Sequence, residues 1–208
     1  MTVEAVTIDA YGTLVTLRDP VPSLQEALAA RGLDLGLDDV AAAFRAEVAY
    51  YRPRSHEGRD DATLALLRRD CARVFLEAAG VDLDPAEFGP AFLAALVFEP
   101  AAGAAAACRM LAEAGLRLAV VSNWDVALHD HLARLGFTAL VDTVVTSAEA
   151  GAPKPDPRVF RLALERLGVA ASHTVHVGDG CEDDEGARAA GLRFEPAPLA
   201  DAARRILA

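Results

Sequence analysis

Four polar residues of this 208-residue chain each lie at or just after a short apolar run, or in a loop beside one. They are Asp9 after AVTI, Ser122 after RLAVV, Lys154 in GAPKPDP, and Asp179 after TVHVG. A carboxylate can attack an electrophile, a hydroxyl and an ammonium can bind phosphoryl oxygens, and two carboxylates can hold a hard cation. If the apolar runs are parallel strands, these side chains meet at the carboxyl edge of one sheet, where open α/β sheets bind ligands.

The segments between these residues alternate between two patterns. Apolar runs predict strands at Val3–Ile8, Leu116–Val121, Leu140–Thr146 and Thr174–Val177. Apolar residues at three- and four-residue spacing, ended by glycine, predict helices at Ala101–Ala114, Val126–Leu135, Pro157–Leu167 and Gly186–Ala190. Strands that alternate with helices in this way predict an α/β fold with a parallel sheet wound on both faces.

One long segment departs from the alternation. From Leu24 to Ala95 the pattern is helical, and it follows directly after the first strand. We interpret 17–95 as an inserted helical cap domain and residues 1–16 and 96–208 as the core. The cap contains an arginine-rich stretch, and Arg52 and Arg54 are candidate substrate contacts because guanidinium groups bind carboxylates and phosphates. A solvated helix end is the alternative interpretation of this stretch.

Composition restricts the partners of the chain. Its net charge is −11, which argues against binding to nucleic acid or to an anionic membrane. No apolar stretch approaches the roughly 20 residues that span a bilayer. The three cysteines form no CxxC pair, and the N-terminal segment has no basic region. We therefore expect a reduced, cytoplasmic chain that binds neither nucleic acid nor a membrane; the oligomeric state stays open.

Taken together, the motifs resemble a known family. IDAYGTL, VVSNWD, GAPKPDPRVF and HVGDG are similar to motifs one to four of the haloacid dehalogenase (HAD) superfamily. The stretch Leu116–Phe160, with HVGD and GARAAGL, is similar to the "rhythmically expressed gene two"-like hydrolases of subfamily IA. The resemblance implies a Rossmann-like core with a mobile cap, and magnesium-dependent hydrolysis of a small phosphorylated metabolite.

The resemblance also implies roles for individual residues. Asp9 matches the nucleophile, which forms a covalent aspartyl intermediate. Thr13 matches the residue that orients the nucleophile loop. Ser122, with Asn123 beside it, matches the phosphate-binding hydroxyl. Lys154 matches the lysine that balances charge at the site.

The same comparison implies a Mg²⁺ site. Asp9, the carbonyl of Tyr11, and Asp179 match metal ligands. A second acidic residue normally follows Asp179, and both Asp183 and Asp184 qualify.

Tyr11 departs from the usual pattern of the phosphatases in this superfamily. An aspartate normally stands there and protonates the leaving oxygen, whereas the pKa of tyrosine starts near 10. The string DAYGT resembles 2-haloacid dehalogenases, in which a halide leaves without a proton, but those enzymes usually lack the acid present here as Asp179. Three hypotheses follow: a metal-dependent phosphatase, a 2-haloacid dehalogenase-like hydrolase, and a catalytically weak protein that binds a phosphorylated ligand or a partner protein.

Overall fold

The computed structural model describes residues 2–208. They divide into two compact units. One consists of the residues up to Thr16 together with Glu99–Ala208 and is here called the sheet unit; the other, Leu17–Phe98, is here called the helical unit. The sequence predicts 17–95 for the inserted segment, and the helical unit also includes the short connection that follows Ala95. The role of this unit as a cap stays a prediction.

The regular elements alternate along most of the chain. In chain order they are β1 (Ala5–Ile8), β2 (Val15–Leu17), α1 (Val21–Ala29), α2 (Leu37–Tyr51), α3 (Asp61–Ala78), α4 (Pro85–Ala95), β3 (Phe98–Pro100), α5 (Ala104–Glu113), β4 (Arg117–Ser122), α6 (Leu128–Arg134), β5 (Thr143–Thr146), α7 (Ser147–Ala150), α8 (Arg158–Leu167), β6 (Thr174–Gly178), α9 (Cys181–Ala189), β7 (Arg193–Pro196) and α10 (Leu199–Leu207). Short 3₁₀ helices lie at Arg52–Glu57, Phe137–Ala139 and Ala171–His173.

Five strands form one parallel sheet in the order β5-β4-β1-β6-β7. Every residue of β1 and β6 is buried, because helices cover both faces of the sheet and leave no solvated side. The predicted α/β, Rossmann-like fold class is thus confirmed. Strands β2 and β3 pair in a separate two-stranded sheet.

The strand order reverses at β1. The chain goes from β1 to β4 on one side and later returns to β6 on the other. Such a reversal opens a crevice beyond the carboxyl ends of the strands, and this is where doubly wound sheets bind ligands. Asp9, Ser122 and Asp179 lie at the carboxyl ends of the three strands that flank this crevice.

Some predicted boundaries are wrong. The helix expected at Gly186–Ala190 begins five residues earlier, at Cys181. Three acidic residues occupy its first turn, where their negative charges interact favourably with the positive end of the helix dipole and stabilise the helix. The strand expected from Leu140 begins at Thr143, because Leu140 closes a 3₁₀ turn by donating its N–H to Phe137. Strand β7 and helix α10 were not predicted.

The helical unit has its own core. Phe75 of α3 lies at its centre and stacks on Phe88 at 5.8 Å and against Phe92 at 5.3 Å, measured between ring centroids. Leucines of α1 and α3 pack around these rings. Helix α3 begins with a capping box, in which Asp60 and Thr63 satisfy each other's backbone N–H groups. This unit therefore has a hydrophobic core formed by its own helices.

Among residues 2–208, every helix is too short or too polar to cross a bilayer.

Candidate active site

Asp9 directly follows β1, and a tight loop holds it in place. Its backbone N–H donates to Val177 O at 2.8 Å, which ties the loop to β6. Gly12 has a φ of +85°, and a Cβ at this position would lie 2.2 Å from Oδ2 of Asp179. Only glycine therefore allows both the left-handed turn and the close approach of the Asp179 carboxylate. The residue Asp9 is only 5% exposed.

Two donors converge on Asp9. Ser122 Oγ donates to Oδ1 of Asp9 at 3.1 Å. Lys154 Nζ donates to the same oxygen at 2.5 Å and to Oδ1 of Asp183 at 2.5 Å. A third bond runs from the ammonium to Val121 O at 3.2 Å. The structure thus brings together three residues predicted from separate motifs, and Lys154 joins two carboxylates.

Asn123 contacts the chain rather than the Asp9 carboxylate. Its Nδ2 donates to Lys154 O at 3.1 Å, and its Oδ1 accepts from Lys154 N at 2.6 Å. This reciprocal pair fixes the backbone of the loop that carries the lysine. The predicted contact between Asn123 and substrate stays a prediction, and in this structure the amide positions Lys154.

Asp183 is the acid that joins the cluster, and Asp184 is not. Asp183 is buried; its Oδ1 accepts from Lys154 and from His176 Nε2 at 3.0 Å, and its Oδ2 accepts from Gly180 N at 3.0 Å. Asp184 instead pairs with Arg188 on the outer face of α9. Of the two alternatives left open by the sequence, the geometry favours Asp183 as a metal ligand and argues against Asp184.

His176 was missed by the sequence analysis. It lies on β6 with its ring fully buried, between Thr7 and Asp183. A single histidine in an apolar strand is a weak signal, because neighbouring strands must be known before its partners can be identified.

Three carboxylates form a candidate metal site. Asp9, Asp179 and Asp183 each offer one oxygen, and these oxygens all lie within 4.8 Å of one another. With all three ionised, the single ammonium of Lys154 leaves a net charge of −2. Hard cations such as Mg²⁺ prefer carboxylate oxygens, so the residues present fit a divalent cation. We call these four residues the site cluster.

The acid–base behaviour of the site cluster reflects its burial. Burial raises the pKa of Asp9 to about 6, although Lys154 acts in the opposite direction. Burial raises the pKa of Asp179 as well, and the charge of Asp183 adds to this. A cation would relieve this repulsion by favouring the ionised forms.

The other members of the network show the opposite balance. Burial alone would raise the pKa of Asp183, but the hydrogen bond from His176 and the charge of Lys154 hold its pKa well below the usual range. Burial would lower the pKa of Lys154, yet Asp9 and Asp183 raise it above its usual value. Burial lowers the pKa of His176, so its imidazole is neutral at pH 7.

The remaining predicted site residues lie outside this network of hydrogen bonds. Thr13 is buried, and its hydroxyl has no hydrogen-bond partner within residues 2–208. Tyr11 is 53% exposed and forms an isolated bridge with Val15. Arg52 and Arg54 belong to the 3₁₀ helix of the helical unit, where Arg54 donates to Tyr50 O and stacks on its ring at 4.2 Å. The orienting role of Thr13, the contacts of Tyr11 with metal and substrate, and the substrate contacts of Arg52 and Arg54 stay predictions.

Curated relatives match parts of the chain. It is 50% identical over 80 residues to haloacid dehalogenase-like hydrolase domain-containing protein 3 of Mus musculus, covering 38% of this chain and 32% of that protein. It is 42% identical over 97 residues to the ribulose-1,5-bisphosphate 5-phosphatase of Halopiger xanaduensis, covering 44% of this chain and 41% of that protein. The chain thus spans less than half the length of these two relatives.

A solved structure and a family model match most of the chain. The L-2-haloacid dehalogenase from Xanthobacter autotrophicus has a TM-score of 0.69 and 26% identity, covering 93% of this chain and 76% of that one. The family model described as haloacid dehalogenase-like hydrolase matches residues 3–191. The "rhythmically expressed gene two"-like subfamily stays a prediction. With the site cluster at the carboxyl ends of its strands and a family match over most of its length, the chain belongs to the haloacid dehalogenase-like hydrolases.

Proposed function

We propose that this hydrolase is a Mg²⁺-dependent phosphatase that forms an aspartyl-phosphate on Asp9. The observation that carries the proposal is the convergence of three carboxylate oxygens within 4.8 Å around a buried lysine. A dehalogenase attacks a carbon centre and needs no cation, so it needs no excess of carboxylates. In a phosphatase the substrate and the nucleophile are both anionic, so a cation is needed between them, and an excess of carboxylates holds that cation.

The residues of the chain suggest how the reaction proceeds. Asp9 attacks the phosphorus atom, the ester P–O bond breaks, and the leaving oxygen departs unaided and then takes up a proton from solvent water. Water then cleaves the acyl phosphate, which restores the carboxylate and releases inorganic phosphate. Ser122 and Lys154, which contact Asp9 in this structure, turn their hydroxyl and ammonium groups towards the phosphoryl oxygens.

When bound, Mg²⁺ supplies positive charge beside the transferring phosphoryl group. Asp179 and Asp183 would hold it together with Asp9 and the predicted carbonyl of Tyr11. Asn123 keeps the lysine loop in register through its two bonds to the Lys154 backbone, so that the ammonium stays between Asp9 and Asp183. Positioning and electrostatics of this kind are the main sources of rate in phosphoryl transfer.

The substrate class follows from Tyr11. Without a carboxylic acid two residues after the nucleophile, the barrier depends on how well the leaving group departs unaided. We expect aryl and acyl phosphates to be hydrolysed faster than alkyl phosphates by about 10²–10⁴-fold, the usual contribution of general acid–base catalysis. Tyr11→Asp should narrow that gap. Equal parent rates on good and poor leaving groups would show that another residue supplies the proton.

The deciding experiment measures phosphate release from aryl, acyl and sugar phosphates, with Mg²⁺ and with a chelator. We expect release only with metal. An intact-protein mass spectrum during turnover should show a phosphoryl adduct that is absent in Asp9→Asn. No phosphate release from any ester, in protein that binds Mg²⁺, would contradict the proposal and favour the hypothesis of a ligand-binding protein.

A dehalogenase is the second candidate, and Tyr11 is the observation that favours it. Tyr11 lies exposed in the nucleophile loop, and it places a phenol where the phosphatases of the family normally carry a carboxylic acid. A halide needs no proton on departure. Halide release from a 2-chloro acid in the presence of a chelator, without any phosphatase activity, would establish this alternative.

A further inference from the structure

His176 is a buried titratable residue that the proposed reaction does not use. Its Nε2 lies 3.0 Å from Oδ1 of Asp183. Its Nδ1 lies 2.9 Å from the Thr7 hydroxyl and 3.1 Å from the Thr7 carbonyl oxygen. The ring of Phe160 lies nearly perpendicular to the imidazole, with 4.9 Å between the two centroids. The ring is therefore fixed by packing and has a polar partner at both nitrogens.

These partners select one tautomer of the neutral ring. The carboxylate of Asp183 only accepts hydrogen bonds, so the contact at Nε2 requires a proton on that nitrogen. Nδ1 is then an acceptor, and the Thr7 hydroxyl is the donor that reaches it. With the opposite tautomer, the Nε2 lone pair would face the Asp183 carboxylate without a proton between them.

We infer that Thr7, His176 and Asp183 form a positioning relay, in which the Thr7 hydroxyl selects the Nε2–H tautomer of His176 and this N–H orients the Asp183 carboxylate. The inference rests on the proposed function in one respect, namely that Asp183 holds the metal. His176 and Thr7 act through Asp183, so both are positioning residues.

The relay links the two strands that carry the site. Thr7 precedes the nucleophile Asp9 by two residues on β1, on the same face of the strand, and His176 lies opposite Thr7 in the register of β1 and β6. Asp183 shares the Lys154 ammonium with Asp9, and its Oδ2 accepts from Gly180 N, so a donor from β6 to Oδ1 holds the carboxylate from a third direction. His176 supplies that donor from the sheet, independently of the lysine.

Variants of Thr7 separate the effect of its hydroxyl group from the effect of its side-chain shape. Thr7→Val keeps the branched shape in the strand but leaves only the carbonyl beside Nδ1, which favours the opposite tautomer. Thr7→Ser keeps the hydroxyl and should restore the parent behaviour. Thr174→Val is the matched control, because it removes a buried hydroxyl from β6 that donates to Ala170 O and does not contact His176.

The first measurement is the nitrogen NMR spectrum of the histidine side chains in the metal-free protein. His176 is assigned by its absence in His176→Gln. We expect the Nε2–H form in the parent, Thr7→Ser and Thr174→Val proteins, and the Nδ1–H form in Thr7→Val. If His176 of the parent protein carries its proton on Nδ1, or carries protons on both nitrogens, the proposed relay is wrong. This result needs no comparison with the variants.

The second measurement is the affinity for Mg²⁺ by titration calorimetry, together with kcat and KM on an aryl phosphate. Loss of a hydrogen bond to a metal ligand typically weakens metal binding by about 10–100-fold. We expect a loss of this size in Thr7→Val, with kcat reduced and KM little changed, and recovery in Thr7→Ser. Equal Mg²⁺ affinity in the parent and Thr7→Val overturns the relay. A parent that binds Mg²⁺ but hydrolyses no ester refutes the proposed phosphatase, while the tautomer and the affinity series still decide the relay.

Discussion

Two ionic clusters of the sheet unit differ in their balance of charge. In the site cluster, three carboxylates lie close together, and the ammonium of Lys154 pairs with two of them, Asp9 and Asp183. In the second cluster, here called the Glu149 cluster, one carboxylate accepts from the N–H of Thr146, from His129 and from Arg166. The first cluster has more acceptors than donors, and the second has a donor for each oxygen of its carboxylate.

The pKa values express this difference. Burial acts in the same direction on both clusters and favours the protonated acid. In the site cluster it raises the pKa of Asp9 to about 6. At Glu149 the bonds from His129, Thr146 and Arg166 outweigh burial and lower its pKa to about 2. A buried excess of negative charge thus marks a site that needs a cation, whereas a carboxylate with a full set of donors stabilises the fold.

The largest effect is expected for Asp9→Asn. The amide keeps the shape of the carboxylate but is no nucleophile, so phosphate release should fall by more than about 10⁴-fold. Thermal unfolding at pH 8 without metal should show no loss of stability, because the pKa of Asp9 is raised and its ionised form is the unfavourable one there. A marked fall in the melting temperature would show that the Asp9 charge stabilises the fold, and the contrast between the clusters would then be wrong.

Lys154→Met tests the balance from the other side. Removal of the ammonium leaves Asp9 and Asp183 buried without a counter-charge, and breaking a buried ion pair typically destabilises by about 3–5 kcal/mol. Without the lysine the pKa of Asp9 should rise further, so stability should recover as the pH falls below it and these acids become protonated. Chemical denaturation at pH 8 and pH 5 measures the difference. A loss of equal size at both pH values would contradict this account.

Asp183→Asn and Asp184→Asn form a matched pair of neighbouring residues. Asp183→Asn should weaken Mg²⁺ binding by at least about 10-fold, because the amide is a poorer ligand for a hard cation. Asp184→Asn removes an exposed pair with Arg188 and should change stability by less than about 1 kcal/mol, with no effect on Mg²⁺ affinity. Calorimetric titration of both variants decides the assignment, and an effect on the Asp184 variant alone would reverse it.

The sequence predicts the fold well because the central strands are almost entirely apolar and the chemistry lies at their ends. AVTI and TVHVG are short runs rich in β-branched residues, which favours buried strands, and polar residues that follow parallel strands meet at one edge of the sheet. Asp9, Ser122 and Lys154 were therefore found without knowledge of any contact. Family resemblance added their roles.

The rest required geometry. The choice between Asp183 and Asp184 depends on which face of α9 each occupies, and adjacent residues differ by about 100° around a helix. Because the predicted helix began at Gly186, the sequence did not show which face of α9 Asp183 and Asp184 would occupy. The partners of His176 come from β1 and α9, far away along the chain. Strand β7 lacks an apolar run, since RFEP at the sheet edge has exposed residues at both ends and half-buried residues only in the middle.

The smallest expected effect belongs to the Glu149 cluster and is confined to stability. The folded-state pKa of Glu149 is about 2, below its ordinary value of 4.5, so its ionised form stabilises the fold above pH 4.5. That contribution is lost as the pH falls from 4.5 through about 2. Glu149→Gln should therefore destabilise the protein at pH 7 by about 1–2 kcal/mol, a value reduced for partial solvent screening.

Denaturation of the parent and Glu149→Gln proteins between pH 7 and pH 3 tests this sign. The stability difference should be constant above about pH 5 and shrink below it, as the parent carboxylate takes up a proton. Glu113→Gln, at an exposed position near the end of α5, is the control and should change stability by less than about 0.5 kcal/mol. Activity should be unchanged in both variants, because neither residue contacts the site cluster. If the stability difference between the parent and Glu149→Gln grew towards low pH, neutral Glu149 would be the stabilising form. The hydrogen-bond donors around Glu149 would then not explain the contrast between the two clusters.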